Sequence, residues 1–199
     1  MGRPDYRVIS MIENLKQIIE QSQRTQRNWN LNKSIKDEDI ELFKTAVSHC
    51  PTKQNRIWYN VVIVKNRNII ERIHETTDGF DYPIGSSTTN TQTLANLLVV
   101  FNADKDKRER VNTDFSSYVD TSIGIASAYL NLTAHLLGYK TGYCNCFSSK
   151  KVDEILGTKK SKLIVGIGHS DDNRNRQEHH LNPDYIYPSF DKNIEIKII

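Results

Sequence analysis

Residues 120–138 read DTSIGIASAYLNLTAHLLG, the strongest helical signal in the chain. Small and apolar residues follow Asp120 on every side of the predicted helix. A helix that is apolar all round is buried in a core or in a subunit interface. Gly138 is the expected position of its C-terminal cap, because glycine readily adopts the left-handed conformation that ends many helices.

Two further helices are predicted near the N-terminus. The first has apolar residues at three- and four-residue steps from Val8 to Ile19, and the pattern stops at Gln21. The second begins at Asp37, a residue type that caps helix N-termini, and it ends before Pro51. Its apolar side is formed by Ile40, Phe43, Val47 and Cys50.

Strand patterns alternate with these helices. The predicted strands share runs of β-branched, aromatic or aliphatic residues, and they are 58–64, 69–73, 97–101, 141–147 and 163–168. Residues 66–68 are predicted to be a turn between the first two strands, and Ser149 is predicted to cap a short helix that ends at Gly157. This order of elements fits an α+β domain better than a regular βαβ fold.

Two polar or extended segments complete the chain. Residues 76–93 hold Gly79, Pro83 and a serine/threonine run, and are predicted to be a long loop of the kind that is often functional. Residues 194–198 alternate isoleucine with charged residues, the pattern of a half-buried strand. This strand either returns to the chain's own sheet or, as an arm from about residue 182 to 199, adds to the sheet of a second subunit.

Composition limits the classes of protein to which the chain can belong. The 199 residues fit a single domain over 1–199, and 37% apolar residues suffice for a core, which excludes wholesale disorder. No apolar stretch reaches roughly 18 residues, and the first residues lack the apolar core of a secretory signal. The odd count of three cysteines favours a reducing cytoplasm, and a net charge of +3 is too small to indicate a nucleic-acid partner.

Two short basic segments have the chemistry of a phosphate site. Residues 23–27 read QRTQR, which places two guanidinium groups near a hydroxyl. Arg174 and Arg176 follow the last predicted central strand, and their spacing puts both side chains on one face of an extended segment. Arginine offers a bidentate fork to phosphate, and threonine offers a neutral donor. The alternative for residues 23–27 is a solvated loop.

Other candidate groups leave more than one interpretation open. Residues 51–55, PTKQN, gather donors that could address the carbonyls of a planar heteroaromatic ring, or they form a turn that only reverses the chain. Cys144 and Cys146 have no second pair to complete a zinc site, so thiolate chemistry and a buried structural role both stay open. His135, inside the apolar helix, is predicted to be a core or interface histidine. The absence of Walker, GxGxxG and G-x-S-x-G motifs excludes the classical nucleotide and hydrolase sites.

The N-terminal half of the chain resembles the nitroreductase family of FMN-dependent oxidoreductases. That family opens with a helix and an R-x-S-x-R/K signature, and residues 23–27 stand in this frame with Gln23 in place of the first arginine. A P-S-x-x-N segment follows the family's second helix and is matched here by Pro51, Thr52 and Asn55.

The C-terminal half continues the resemblance in the same order. The helix ending at Gly138 resembles the family's A-A-x-x-L-G-L helix, and residues 163–168 resemble its V-x-x-G strand. Residues 145–147 fall where the family commonly has E-G-F, and 174–176 fall at its closing K-x-R. The ordered set, which covers about residues 5–199, is more specific than any single motif.

The resemblance implies a fold, a cofactor and an assembly. The fold is an α+β three-layer sandwich with a central, mainly antiparallel sheet flanked by helices, and two such chains form an intertwined homodimer with FMN at the interface. The helix at 120–137 would be the dimer core, and the arm at 182–199 would embrace the partner. The implied FMN-binding residues are Gln23, Arg24, Thr25, Arg27, Arg174 and Arg176 at the phosphate and ribityl chain; Pro51, Thr52, Lys53 and Asn55, from the partner, at the ring; and the backbone N–H groups of Asn145 and Cys146 at flavin N5 and O4.

The resemblance also implies a reaction. NADH or NADPH would pass hydride to the flavin and leave, and an electron-poor acceptor such as a nitroaromatic or a quinone would then take its place. No catalytic side chain and no metal are implied, although Lys53 would stabilise the anionic reduced ring. Two alternatives are a flavin-binding protein without turnover and a relative that dehalogenates or cleaves flavin. Nucleic-acid binding is disfavoured because aromatic and basic residues do not interleave.

Overall fold

The computed structural model describes residues 6–78, 89–104, 116–171 and 194–198. Its helices are α1 (Tyr6–Ser22), α2 (Asp37–Ser48), α3 (Arg67–His74), α4 (Ser116–Leu136) and α5 (Ser149–Leu156). Its strands are β1 (Tyr59–Val64), β2 (Leu97–Ala103), β3 (Lys140–Cys144) and β4 (Ser161–Gly168). Two 3₁₀ turns, here called the Lys53 turn (Lys53–Asn55) and the Gln92 turn (Thr91–Leu94), lie between these elements.

The four strands form one sheet in the order β1-β2-β4-β3, and every neighbouring pair is antiparallel. Successive side chains of a strand point to opposite faces. In β2, Val99 and Phe101 therefore pack with α2 and α4 on one face, while Leu98 and Val100 pack with α3 and α5 on the other. The predicted α+β three-layer arrangement with an antiparallel sheet is confirmed.

Helix α4 is the predicted apolar helix, and it covers one face of the sheet. Val119, Ile123, Ala126, Leu130 and Ala134, at three- and four-residue steps, are all buried. Beyond its last turn, Gly138 has a φ of +83°, and the next N–H, that of residue 139, donates to a carbonyl five residues earlier at 2.9 Å. This is the glycine-capped helix end that the sequence predicted.

Residues 69–73 form part of α3, so the predicted strand at this position is wrong. Asn66 is the N-cap of α3, and its side-chain oxygen accepts a hydrogen bond from the N–H of Ile69 at 3.2 Å. Ile70 and Ile73 are completely buried on one side of the helix. The isoleucines look like a strand because β-branched residues favour strands, but a cap and a spacing of three favour a helix.

The predicted C-terminal strand does not form within the chain. Residues 194–198 pair with no strand among the residues that the structure describes, and Ile194, Ile196 and Ile198 are 71%, 81% and 98% exposed. The half-buried strand is therefore wrong for a single copy, whose own sheet these residues do not join. The charge run at 105–110, Arg174, Arg176 and most of both the 76–93 loop and the 182–199 arm lie outside the described residues.

None of the described helices combines the length and the apolar character needed to cross a bilayer. The longest, α4, has 21 residues, and it carries its buried residues on one side and exposed residues on the other.

Candidate functional site

Two glycines leave space for other backbone segments where β3 pairs with β4. Gly142 and Gly166 are direct partners in the antiparallel register. A Cβ atom on Gly142 would lie 2.7 Å from the carbonyl oxygen of Gln26 and 2.9 Å from the Cβ of Gln92, and one on Gly166 would collide with the carbonyl oxygen of Gln92. Real Cβ atoms do not approach other atoms so closely. The paired glycines therefore admit the Gln92 turn and the loop after α1 to this edge.

The loop after α1 is fixed by backbone and amide contacts. Gln26 donates its N–H to the carbonyl of Thr141 in β3 at 2.7 Å, and its side-chain oxygen accepts the N–H groups of Arg27 and Asn28 at 2.8 and 2.9 Å. Asn131 of α4 donates to the carbonyl of Ser22 at 3.0 Å. These contacts hold the basic segment against the sheet, with Gln23 and Arg24 exposed and with Thr25 and Arg27 half-buried.

Gln92 joins the loop after α1 to the end of β3. It is only 5% exposed, and its amide is oriented so that the side-chain oxygen accepts from Nη2 of Arg27 at 2.9 Å while the nitrogen donates to the carbonyl of Tyr143. Its backbone N–H donates to the side-chain oxygen of Asn90 at 3.0 Å. Asn90 in turn donates from Nδ2 to Sγ of Cys146 at 3.1 Å. The path Arg27–Gln92–Asn90–Cys146 is continuous.

The turn after β3 is tied to the segment after α3. The carbonyl of Cys146 accepts the N–H of Asp78 at 2.8 Å, and the N–H of Ser148 donates to the carbonyl of Thr76 at 2.9 Å. Asn145, between the two cysteines, is exposed. The two segments brace each other, so the backbone around Asn145 is held from both sides.

His74 adds an uncharged ring to the same region. Its Nδ1 lies 3.0 Å from the hydroxyl of Thr93 and its Nε2 lies 2.7 Å from the hydroxyl of Thr89. Burial lowers the pKa of His74, and the hydrogen bond with the carbonyl of Asn90 opposes this in part. The ring therefore acts near neutral pH as a hydrogen-bonding link between α3 and the Gln92 turn.

The segment of Pro51, Thr52, Lys53 and Asn55 lies elsewhere. The carbonyl of Lys53 accepts the indole N–H of Trp58 at 2.7 Å, and the Lys53 ammonium lies 5.3 Å from the centre of the Tyr118 ring in the first turn of α4. The Lys53 turn is tight because Gln54 and Asn55 both have positive φ values, 57° and 50°. A turn that reverses the chain is thus present, and its polar side chains stand beside the start of α4.

Helix α4 separates the two groups of predicted residues within one chain. Tyr118, next to Lys53, and Asn131, next to the loop after α1, are thirteen positions apart, which is about 20 Å along a helix. The structure connects Arg27, through Gln92 and Asn90, to the Cys146 end of β3, and it leaves the Lys53 turn beside the first turn of α4.

The fold is shared with several solved structures of low sequence identity. A nitroreductase family protein from Clostridium novyi superposes with a TM-score of 0.66 at 14% identity, covering 83% of this chain and 91% of that one. One from Streptococcus pneumoniae gives 0.64 at 17% identity, covering 94% and 100%. An NADPH:FMN oxidoreductase from Vibrio harveyi gives 0.65 at 16% identity, covering 93% and 79%. No family model and no curated protein sequence matches the chain.

The chain has the nitroreductase fold. At 14–17% identity this likeness establishes the architecture, and the site residues of this nitroreductase-fold chain must be argued from their own chemistry.

Two residues of the candidate site were not predicted from the sequence. Asn90 and Gln92 lie in the segment 76–93, which the sequence marks only as a polar loop. Their position follows from the Gly142–Gly166 pair, whose partnership is visible only once the β3–β4 register is known. A signal was present nonetheless, because glycines in strand interiors often mark a close approach of another backbone.

Proposed function

We propose that this protein is an FMN-dependent NAD(P)H oxidoreductase of the nitroreductase type that works as a homodimer. The observation that carries the proposal is the placement of two donor groups at opposite ends of α4. One group, Thr25 and Arg27 with the backbone near Cys146, lies at the β3–β4 edge. The Lys53 turn lies beside Tyr118, about 20 Å along α4 from Asn131, which contacts the loop after α1. A second copy related by a two-fold axis would bring its Lys53 turn to the first group.

The donor chemistry at the β3–β4 edge fits a phosphorylated flavin. Guanidinium groups and a hydroxyl on one short loop suit a phosphate monoester, because arginine binds phosphate through two parallel N–H donors. Arg24 and Arg27 would hold the phosphate with Thr25, and Arg174 and Arg176 would add a second basic pair. Gln23 is exposed beside them and adds an amide donor instead of a charge.

The flavin ring has its own set of proposed partners. The backbone N–H groups of Asn145 and Cys146 would face the ring, since this turn is held by the contacts of Asp78 and Ser148. Lys53, Thr52 and Asn55 of a second copy would contact the opposite edge, where the ammonium favours negative charge on the ring. When bound, FMN supplies the hydride-transfer chemistry from a reduced nicotinamide to an electron-poor acceptor.

Exposed apolar surface supports the homodimer. On α4, Gly124 and Ala128 are exposed and Leu136 is 60% exposed, and on α1, Leu15 and Ile19 are 48% and 52% exposed. Such a surface is costly in water, and obligate dimer interfaces bury surfaces of this kind. The exposed isoleucines of residues 194–198 have the alternation of a strand, and we propose that they add to the partner's sheet.

The first experiment identifies the bound group and tests turnover. The purified protein should absorb near 450 nm, and heat should release FMN, which mass spectrometry distinguishes from FAD. Addition of NADH or NADPH without oxygen should bleach this absorbance, and a nitroaromatic or a quinone should restore it. Bleaching without reoxidation, or no bleaching at all, would favour a flavin-binding protein without turnover. Release of halide or a broken flavin would favour the specialised relatives.

The second experiment tests whether the site is shared between two chains. Arg27→Ala and Lys53→Ala each remove a donor from a different half of the site, so each homodimer should bind FMN weakly. In a mixed dimer that carries one change in each chain, one of the two sites has both defects and the other has neither. Mixed dimers purified with two affinity tags should therefore recover flavin at half of their sites. Recovery of none would contradict a shared site.

A further inference from the structure

Two thiols lie side by side at the end of β3 and have no part in the function proposed above. Cys144 is the last residue of β3, Cys146 follows one residue later, and their Sγ atoms are 3.5 Å apart without a bond. A disulfide requires an S–S distance of about 2.0 Å, so the sulfurs are about 1.5 Å from bonding distance. Two cysteines on either side of a single residue can close a disulfide within one short segment.

The two sulfurs have different surroundings. Cys144 is 2% exposed, and burial raises the pKa of its thiol to about 12, with the neighbouring Cys146 contributing in the same direction. Its thiol donates toward the carbonyl of Cys146 at 3.7 Å, so it remains a protonated thiol directed at its neighbour. Cys146 is half-buried, and its Sγ accepts the amide of Asn90. A dissolved oxidant therefore reaches Cys146 first, with Cys144 behind it.

The third cysteine provides an internal comparison. Cys50 is buried in the core on the α2–α4 side of the sheet, and its sulfur lies 3.1 Å from the hydroxyl of Tyr59. Cys144 belongs to the core on the opposite face of the sheet, the face covered by α3 and α5, and Cys146 packs against that core. Cys50 therefore has a hydroxyl neighbour in place of a thiol, and it cannot resolve an oxidised sulfur.

We propose that Cys144 and Cys146 are a modification site that peroxides oxidise to a reversible intramolecular disulfide. The sulfur of Cys146 attacks one oxygen of the peroxide, the O–O bond breaks, and the departing oxygen leaves as water with the thiol proton. The sulfur of Cys144 then attacks the resulting sulfenic acid, the S–S bond forms, the S–O bond breaks, and a second water leaves. Two thiols are oxidised and one hydrogen peroxide is reduced to two waters.

The test uses the purified wild-type protein and the mass of one peptide. Trypsin cleaves after Lys140 and Lys150, so residues 141–150 form a single peptide that holds both cysteines. After hydrogen peroxide, this peptide should be lighter by two hydrogens, about 2 Da, and should resist alkylation until a dithiol reductant is added. The peptide carrying Cys50 should be alkylated throughout. The proposed function uses the backbone N–H of Cys146 and neither thiol, so failure of this test would leave it untouched.

Three variants separate the roles of the two sulfurs. Cys144→Ser should accumulate a sulfenic acid at Cys146 that a cyclic dione traps, because the resolving thiol is gone. Cys146→Ser should leave Cys144 reduced, since the buried thiol meets no oxidant, and Cys50→Ser should behave as the wild type. The proposal is overturned if the 141–150 peptide of the wild type stays fully alkylatable under peroxide, or if its cysteines are found bonded only to Cys50 or to a second chain.

Discussion

Gly142 and Gly166 face each other across β3 and β4, and together they leave room for the backbone of residue 92. The contact with Arg27, the cap by Asn90 and the hydrogen bond to Cys146 all depend on this approach. A methyl group at either glycine would push the Gln92 turn away from the sheet.

Gly166→Ala tests this dependence. The added methyl meets the carbonyl oxygen of Gln92 and lies 2.9 Å from the Cβ of Ala95, so the turn must shift. Overpacking of this kind costs about 1–3 kcal/mol, which lowers the Tm of a chain of this size by roughly 2–12 °C. Thermal unfolding followed by circular dichroism measures the change. Lys162→Ala, at an exposed position of the same strand, is the control and should change the Tm little; equal Tm values for the two variants would contradict the packing argument.

Gln23→Arg should strengthen FMN binding. Gln23 is exposed beside the basic loop, so an arginine can be accommodated there and can add a charge-assisted bond to the phosphate. Such a bond contributes about 1.5–3 kcal/mol, which predicts binding roughly 10- to 150-fold tighter. Fluorescence titration of the flavin-free protein measures the Kd. Gln17→Arg, exposed on α1, adds the same charge away from the loop, and an equal gain there would indicate a general charge effect.

Gly124→Arg should convert the dimer to a monomer. Outside the backbone of α4 itself, none of the described atoms lies within 4 Å of a Cβ at Gly124, and arginine favours a helix more than glycine does, so the fold is retained. In the proposed interface, however, the long charged side chain has no space. The mass measured by light scattering should fall from about twice 23.0 kDa to 23.0 kDa. Thr45→Arg, at an exposed position of α2, should remain a dimer. A dimeric Gly124→Arg would place the interface elsewhere.

The buried His135 should make stability fall in mild acid. Burial lowers the pKa of His135 from 6.5, and its Nε2 has no partner among the described atoms. As the pH falls through 6.5, His135 is protonated in the unfolded chain but not in the folded chain. The free energy of unfolding therefore decreases until the pH falls below the pKa of the folded chain. His74, whose pKa is also lowered, adds to the same loss.

Urea unfolding at about pH 7.5 and about pH 5.5 measures this loss. His135→Leu should show a smaller decrease between the two pH values than the wild type, because a histidine that contributes to it is gone. His49→Leu changes an exposed histidine and should keep the wild-type decrease. An unchanged decrease in His135→Leu would show that this residue is not the source.

Local patterns predicted most of the elements of this fold. The apolar repeat of α4, the glycine at its end and the continuous apolar run of β2 are properties of short stretches, and a single sequence displays them fully. The β-branched isoleucines at 69–73 predict a strand, with residues 66–68 as the turn before it, whereas in the structure Asn66 is the N-cap of α3 and residues 67 and 68 belong to the helix. For residues 194–198 the pattern is that of a strand, but they pair with none of the described strands, and strand pairing is a contact between distant segments that a local pattern does not contain.

The candidate site was predictable only in part, because it depends on contacts between distant segments. The basic loop and the Cys146 turn are recognisable as groups of donors. Their connection through Asn90 and Gln92 requires the pairing of Gly142 with Gly166, which no local pattern contains. The separation of the Lys53 turn from the other donors likewise follows from the length and position of α4.

The length of α4 determines the spacing of the two groups of donors in the proposed dimer. Asn131 contacts the loop after α1, and Tyr118 contacts the Lys53 turn. The number of residues between Tyr118 and Asn131 therefore sets the distance between these two groups of donors in both subunits of the proposed dimer. One inserted residue would turn one end against the other by about 100° and lengthen this distance by about 1.5 Å. A change in the length of α4 would therefore alter both FMN sites of the proposed dimer equally.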